Sequence, residues 1–246
     1  MLTRKLFILL ILVPITLSVT SCGFSESRYI SPKNEHISNP FFFPEGIGSL
    51  SFEGRFILPS TNVVEQNANL NINLLGVFEN GQLWTLGIDQ IDTRLIENPD
   101  PFDYISEGFE NLGYFFVTEE SIYHRFTSSG FSAKENDLLI NSFYENFDET
   151  LNEFKIVMAL EDTEREADED GWFSYIEVDG DTVTYSNYYA RHFYSGTRHY
   201  MRIVWRRGEG IVHYVAGMGM MRIHVEFGQK LLEGCSSNWV GGVWIE

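Results

Sequence analysis

Between residues 161 and 170 the run EDTEREADED places seven acids in ten positions, and Gly171, Ser174 and Glu177 follow it. Carboxylate and hydroxyl oxygens at such close spacing are the donor set of a hard cation, Ca²⁺ above all, if the chain coils around the ion. With Glu166 as position 1, Asp168, Asp170 and Glu177 fall at positions 3, 5 and 12, and Gly171 takes the sharp turn at position 6. Without an ion the same residues are a solvated acidic loop ahead of a strand, the simpler reading of any charge run.

The segment Glu166–Glu177 resembles the EF-hand calcium loop, with Phe173 at its apolar position 8 and Ser174 at position 9. The resemblance implies Ca²⁺ held by Glu166, Asp168, Asp170 and Glu177, with the weak affinity of extracellular modules, about 10⁻⁴–10⁻³ M. Two departures weaken it further. Glu166 stands where the family has Asp, and its extra methylene strains the turn. Glu177 runs into Asp179-Gly180, a turn, where the family has an exiting helix.

A second chemical cluster is aromatic and basic. In Tyr188-Tyr189-Ala190-Arg191-His192-Phe193-Tyr194 the rings exceed what one strand face can bury. Tyr188, Tyr189, Arg191, His192 and Tyr194 are therefore candidate binding residues for a glycan that stacks on rings or for a protein surface, against the alternative of a sheet core and its edges. His192 and His199 are the best-spaced histidine pair, without the tight pairing of a zinc site. There is no Gly-x-Ser-x-Gly elbow and no Ser-x-x-Lys. Cys235 is a lone tail thiol. No catalytic residue is assigned.

The N-terminus has a chemistry of its own. Arg4 and Lys5 precede an apolar run from Leu6 to Val13, and small residues then lead to Cys22. The run is shorter than the roughly 20 apolar residues of a membrane span. Val19-Thr20-Ser21-Cys22 resembles the lipobox of bacterial lipoproteins. The resemblance implies a diacylglycerol on the Cys22 sulfur, removal of residues 1–21, and a membrane-held mature chain that begins at Cys22. Gly23, with no Asp at that place, leans towards the outer membrane where the organism has one.

The elements that would position these groups read as β-rich. The chain is 43% hydrophobic and 15% aromatic, enough for a true core and favourable to strands. Residues 22–45 read as a tether rich in Ser, Asn and Pro, with Phe41, Phe42 and Phe43 where the chain first docks, and residues 46–246 as one β-rich domain. Leu50, Phe52, Phe56 and then Leu70, Ile72, Leu74 alternate as half-buried strands. Asn80-Gly81, Thr118–Ser121 and Asp179-Gly180-Asp181 read as hairpin turns. Ser132-Ala-Lys-Glu135 fits a capping box, and Leu139, Phe143, Phe147, Leu151 and Phe154 form one helix face. Residues 155–160 continue that helix or begin a strand. In 198–206 the alternation puts Ile203 and Trp205 inside and Arg202 and Arg206 outside. The expected fold is mainly β (α+β), an antiparallel sheet or curved half-barrel with one amphipathic helix packed on it. The stretch Trp205 to Tyr214 resembles a hairpin of bacterial envelope lipoproteins, some of which have a half-barrel similar to the periplasmic lipoprotein-carrier fold; that implies a concave sheet able to hold an acyl chain.

Charge narrows the partners. Without Arg4 and Lys5, 15 basic residues face 35 acidic ones, which disfavours nucleic acid and anionic lipid surfaces. Residues 23–181 hold 31 acids against 8 bases, and residues 182–230 hold 7 bases against Glu209 and Glu226, so the two segments either neutralise each other locally or leave a basic patch for an anion. With Cys22 lipidated, Cys235 has no partner for an internal disulfide. The functional expectation is a monomeric, envelope-anchored binding or structural module. The alternatives are an envelope hydrolase that works through carboxylates and a lipid carrier with a half-barrel cavity.

Overall fold

A computed structural model of the chain describes residues 38–57, 63–89, 111–127, 131–163, 172–189, 199–218 and 223–228. Eleven strands, β1 (Ser49–Ile57), β2 (Val63–Phe78), β3 (Gly81–Ile88), β4 (Asn111–Val117), β5 (Ile122–Arg125), β6 (Lys155–Met158), β7 (Trp172–Asp179), β8 (Thr182–Tyr189), β9 (His199–Arg206), β10 (Gly210–Met218) and β11 (Ile223–Gly228), form one antiparallel sheet. Two helices, α1 (Ala133–Glu145) and α2 (Phe147–Leu151), lie between β5 and β6.

The order β6-β5-β4-β3-β2-β1-β11-β10-β9-β8-β7 is an up-and-down meander in which the last strand pairs with the first. Among the described strands the circuit is therefore open between β6 and β7, which are consecutive in sequence. Residues just after β6 reach across it. Thr163 N–H donates to Ile176 O at 3.0 Å, Ile176 N–H to Thr163 Oγ1 at 2.7 Å, and Val178 N–H to Asp162 Oδ1 at 2.6 Å. Inside, Trp205 Nε1 of β9 donates to Val157 O of β6 at 3.2 Å. The sheet thus curls beyond the expected half-barrel into a nearly closed barrel.

The hairpin turns β2–β3, β4–β5, β7–β8 and β9–β10 all fall at one end, here termed the base. Local chemistry made most of them legible. The Thr118–Ser121 turn closes through Thr118 N–H to Ser121 O at 2.9 Å, and Gly180 adopts a positive φ of 59° that other residues resist. The first hairpin differs from expectation. Phe78 pairs with Gly81, so the two turn residues are Glu79 and Asn80. Gly81 does not serve a type I′ turn. It opens β3, where a Cβ would collide with the Phe116 ring.

The inner face carries one continuous core that includes Phe52, Phe56, Leu70, Leu86, Phe115 and Trp205. An eight-stranded barrel is just filled by its own side chains, and eleven strands enclose more. At the base a strap, residues 38–47, supplies the filling. Phe41, Phe42 and Phe43 are all buried, and Phe42 sits 5.1 Å from the Trp84 ring and 6.4 Å from that of Trp205. The folded core thus includes Asn39–Phe43, the end of the segment read as tether.

β4 is buried on both faces, which explains its unbroken apolar run Tyr114–Val117. Leu112, Phe115 and Val117 enter the barrel, while Tyr114 and Phe116 face the helices. Phe116 stacks on Phe143 of α1 at 4.9 Å and 18°. The capping box forms, with Glu135 N–H donating to Ser132 Oγ. The single expected helix is two. Asn146, at φ −144° and ψ 66°, breaks it, and the break lets both Phe147 and Phe154 reach Phe143, at 5.7 and 5.6 Å. Residues 155–158 are a strand. Among the described residues no helix is long and apolar enough to cross a membrane.

Candidate functional site

β7 and β8 are hydrogen-bonded partners, and their register sets the start of β7 beside the end of β8 at the rim opposite the base. Trp172 pairs with Tyr189 and Phe173 with Tyr188. Alternation from the buried Ile176, Val183 and Tyr185 puts Phe173, Tyr175 and Tyr188 on the outer face. Phe173 and Tyr188 stack at 5.0 Å and 7°, with Tyr175 edge-on to Tyr188 at 6.4 Å and 90°. Such a ladder contributes on the order of 1 kcal/mol beyond burial and offers a flat apolar surface.

Behind the ladder, on the inner face, a small polar network holds β7 to β8. Asn187 Nδ2 donates to Ser174 Oγ at 2.7 Å and to the Tyr185 hydroxyl at 3.1 Å. Burial pushes the Tyr185 hydroxyl above its ordinary pKa, and its hydrogen bonds with Ser174 and Asn187 pull part of the way back. Beside Ser186 on the outer face stands Arg202, half-buried, with its Nε buried and without an acceptor among the described residues. Arg206 is half-buried as well and bonds Glu209 at 3.3 Å. Both arginines lie on the outer face that the alternation requires, though neither is fully exposed.

The calcium reading meets an extended strand. Residues 172–177 belong to β7, so Glu177 stands about 17 Å along the strand from Trp172, at roughly 3.3 Å per residue. That course lacks the coiled approach that position 12 of a calcium loop makes. Glu177 is exposed on the outer face opposite Thr184. Glu166, Asp168 and Asp170 lie outside the described residues, as do Cys22, Arg191, His192, Tyr194 and Cys235 and the side chains of Tyr189 and His199. Among the described residues no three His, Cys, Asp or Glu side chains gather as a metal-binding group.

An ion pair joins the acidic and basic segments at the base. Arg207 Nε of the β9–β10 turn donates to Asp181 of the β7–β8 turn at 2.9 Å, and the Arg207 guanidinium caps the Phe41 ring at 4.7 Å. Both partners of this pair are largely exposed, so its contribution is about 0–1 kcal/mol.

His124, on the inner side of β5, is buried. Its Nε2 lies 2.6 Å from Leu112 O and its ring 4.7 Å from Phe115. Burial lowers its pKa to about 4, against the upward pull of the Leu112 carbonyl. It is a neutral core histidine.

Sequence patterning did not single out the base. Asn39 is buried there, its Nδ2 donating to Thr118 O at 2.9 Å and its Oδ1 accepting from Phe41 N–H at 2.8 Å. Gly208 N–H donates to Pro40 O at 2.7 Å. The one signal was Phe41-Phe42-Phe43 itself, three consecutive rings that a free tether would not carry.

No protein-family model matches the chain, and a search of curated proteins finds no match. Among solved structures, a candidate exported protein of YmcC-like fold from Bacteroides fragilis is similar at 9% identity and a TM-score of 0.31, over 79% of this chain and all of that one. A candidate lipoprotein from Parabacteroides distasonis is similar at 8% identity and a TM-score of 0.29, again over 79% of this chain and all of that one.

Proposed function

We propose that this chain is an envelope lipoprotein, held to a membrane through lipid on Cys22, and that its barrel is a non-catalytic binding module. The observation that carries the reading is the placement of the strap. Phe41–Phe43 dock the N-terminal side of the chain into the base, while the Phe173–Tyr188 ladder stands at the opposite rim. The chain from Cys22 to Ser38 spans at most about 55 Å when fully extended. The chain that leads back to Cys22 thus joins the barrel through the strap at the base, and the aromatic rim is the barrel's other end. A flat ring stack with the polar Ser186 and Arg202 beside it suits a ligand with apolar faces and acceptor groups, as the rings of envelope glycans have.

The test has two arms. Cys22→Ser, expressed with its signal, should accumulate as precursor and take up no labelled palmitate; normal maturation would remove the anchor from the proposal. Separately, the mature protein is sedimented with purified peptidoglycan sacculi. Phe173→Ala and Tyr188→Ala should each lower the retained fraction several-fold. Retention that neither substitution alters, or none by any form, would overturn the rim as a glycan surface.

A further inference from the structure

Five arginines stand among the described residues, and four of them are paired with a carboxylate: Arg55 with Glu65 at 2.9 Å, Arg125 with Glu153 at 2.8 Å, Arg206 with Glu209 at 3.3 Å and Arg207 with Asp181 at 2.9 Å. Arg202 is the fifth, and among the described residues no carboxylate or carbonyl accepts from it. With 35 acidic residues against 17 basic ones the chain has no shortage of partners, and a half-buried cation left without one costs stability. The surroundings supply no counter-charge. Arg202 stands between Ser186 of β8 and Val215 of β10, and Val215 is fully buried. On the outer face of β7 the nearest acid is Glu177, opposite Thr184, one row closer to the base and about 12 Å from Arg202 by strand spacing. That exceeds the screening length of about 8 Å at physiological salt, so the attraction between them is weak.

The same register sets Arg202 at the edge of the aromatic ladder. Tyr175, Ser186 and Arg202 form one row across β7, β8 and β9, and Phe173 and Tyr188 form the next row towards the rim. Ser186 is the small member of its row, so a notch separates Tyr175 from Arg202. Tyr188 is diagonal to the arginine, with about 8 Å between their backbones. We infer that the rim takes an acidic glycan, a sugar ring lying on Tyr188 and Phe173 with its carboxylate accepting from the terminal nitrogens of Arg202 over Ser186. The inference rests on the reading of the rim as a glycan surface and adds the charge that its ligand carries. Nε takes no part, because it is sealed from solvent; it is the nitrogen of this guanidinium that is buried without a partner, which leaves the end of the fork to the ligand. Two parallel N–H groups at that end match the two oxygens of one planar carboxylate. One guanidinium balances one carboxylate, whereas the chain's net charge of −18 repels a ligand of higher charge.

The probe is cellobiouronic acid, a disaccharide with one carboxylate, and its methyl ester is the neutral control that keeps both rings. Each is titrated calorimetrically into the detergent-held mature protein at low salt. The acid should bind at least about fivefold more tightly than the ester, the worth of a charge-assisted contact after solvent screening, and about 0.5 M NaCl should narrow the gap. Arg202→Met keeps the aliphatic stem and removes the charge. It should bind acid and ester alike, with a melting midpoint no lower than that of the wild type, because the cation it loses had no partner. Arg202→Lys keeps the charge without the fork and should retain part of the preference. Phe173→Ala should weaken both ligands together. No preference in the wild type, a preference that survives in Arg202→Met, or a midpoint of that variant well below the wild type would overturn the inference. Equal binding of acid and ester that Phe173→Ala removes would overturn it while leaving the ladder a glycan surface. Binding of neither would overturn it as well, and retention by sacculi would then decide the rim by itself.

Discussion

Trp205 Nε1 donates to Val157 O at 3.2 Å, a bond between β9 and β6 that crosses the barrel beside the break between β6 and β7. Those two strands are not sheet neighbours. The bond therefore ties together the two halves of the meander, while Asp162 and Thr163 satisfy the edge of β7 from outside the ladder. Trp205 is also the hub of the inner aromatic packing, with Phe115 edge-on at 6.1 Å.

Two substitutions separate those roles. Trp205→Phe keeps most of the ring and removes the donor, and should destabilise by about 1–2 kcal/mol in urea unfolding. Trp205→Ala removes the packing as well and should cost about 3–5 kcal/mol. An alanine effect below about 1 kcal/mol would contradict the inward placement of this side chain.

The strap should behave as part of the barrel. Phe42→Ala leaves a cavity between Trp84 and Trp205 and should cost about 3–5 kcal/mol. Asn39→Ala strands the Thr118 carbonyl and the Phe41 N–H and should cost about 1–3 kcal/mol. Thermal melts of both, beside a chain shortened to begin at residue 46, give the comparison. A shortened chain with an unaltered midpoint would return residues 38–45 to the tether.

His124 should make stability depend on pH. Its folded pKa of about 4 lies below its ordinary value of 6.5 because burial disfavours the charged ring. The unfolded chain therefore takes up the proton first as pH falls. Stability from this residue is full above about pH 7 and declines from pH 6.5 towards 4, by about 2–3 kcal/mol at pH 4.5. Carboxylates titrate in part of the same range, so the measurement is the difference between wild type and His124→Phe in urea midpoints at pH 7 and 4.5. Identical pH slopes in the two proteins would show that the ring is protonated at no cost in the fold.

Two glycines at hairpins, Gly81 at the start of β3 and Gly180 in the β7–β8 turn, should respond for different reasons. Gly81→Ala forces a Cβ against the Phe116 ring and the Val117 carbonyl and should cost about 1–3 kcal/mol, whatever small side chain is used. Gly180→Ala meets open space but a φ of 59°, and should cost about 1 kcal/mol, most of which Gly180→Asn should recover because Asn tolerates that φ. Unfolding midpoints decide. An Asn that rescued position 81 equally would mean that Gly81 is a conformational glycine after all.

Residue types and spacing determined what short-range chemistry controls. Ser132 and Glu135 start a helix because each satisfies the other's exposed backbone donor. Thr118–Ser121 and Gly180 turn the chain through their own hydrogen bonds and φ. Alternation places Ile203 and Trp205 inside because one register slip would expose both. Val19-Thr20-Ser21-Cys22 is a linear pattern, so its likeness to a lipobox too needs no fold. Tertiary structure decided whatever depends on residues distant along the chain. The pairing of β1 with β11 closes the barrel. Phe116 dictates a glycine at position 81 and moves the turn by one residue. The aromatic cluster around Phe143 draws Phe147 and Phe154 together and breaks the helix at Asn146. Above all, Leu74 carries no signal in sequence, since periodicity buries it, yet it stands exposed beside the strap. What the strap leaves uncovered depends on how packed surfaces meet across the barrel, and no local pattern encodes that.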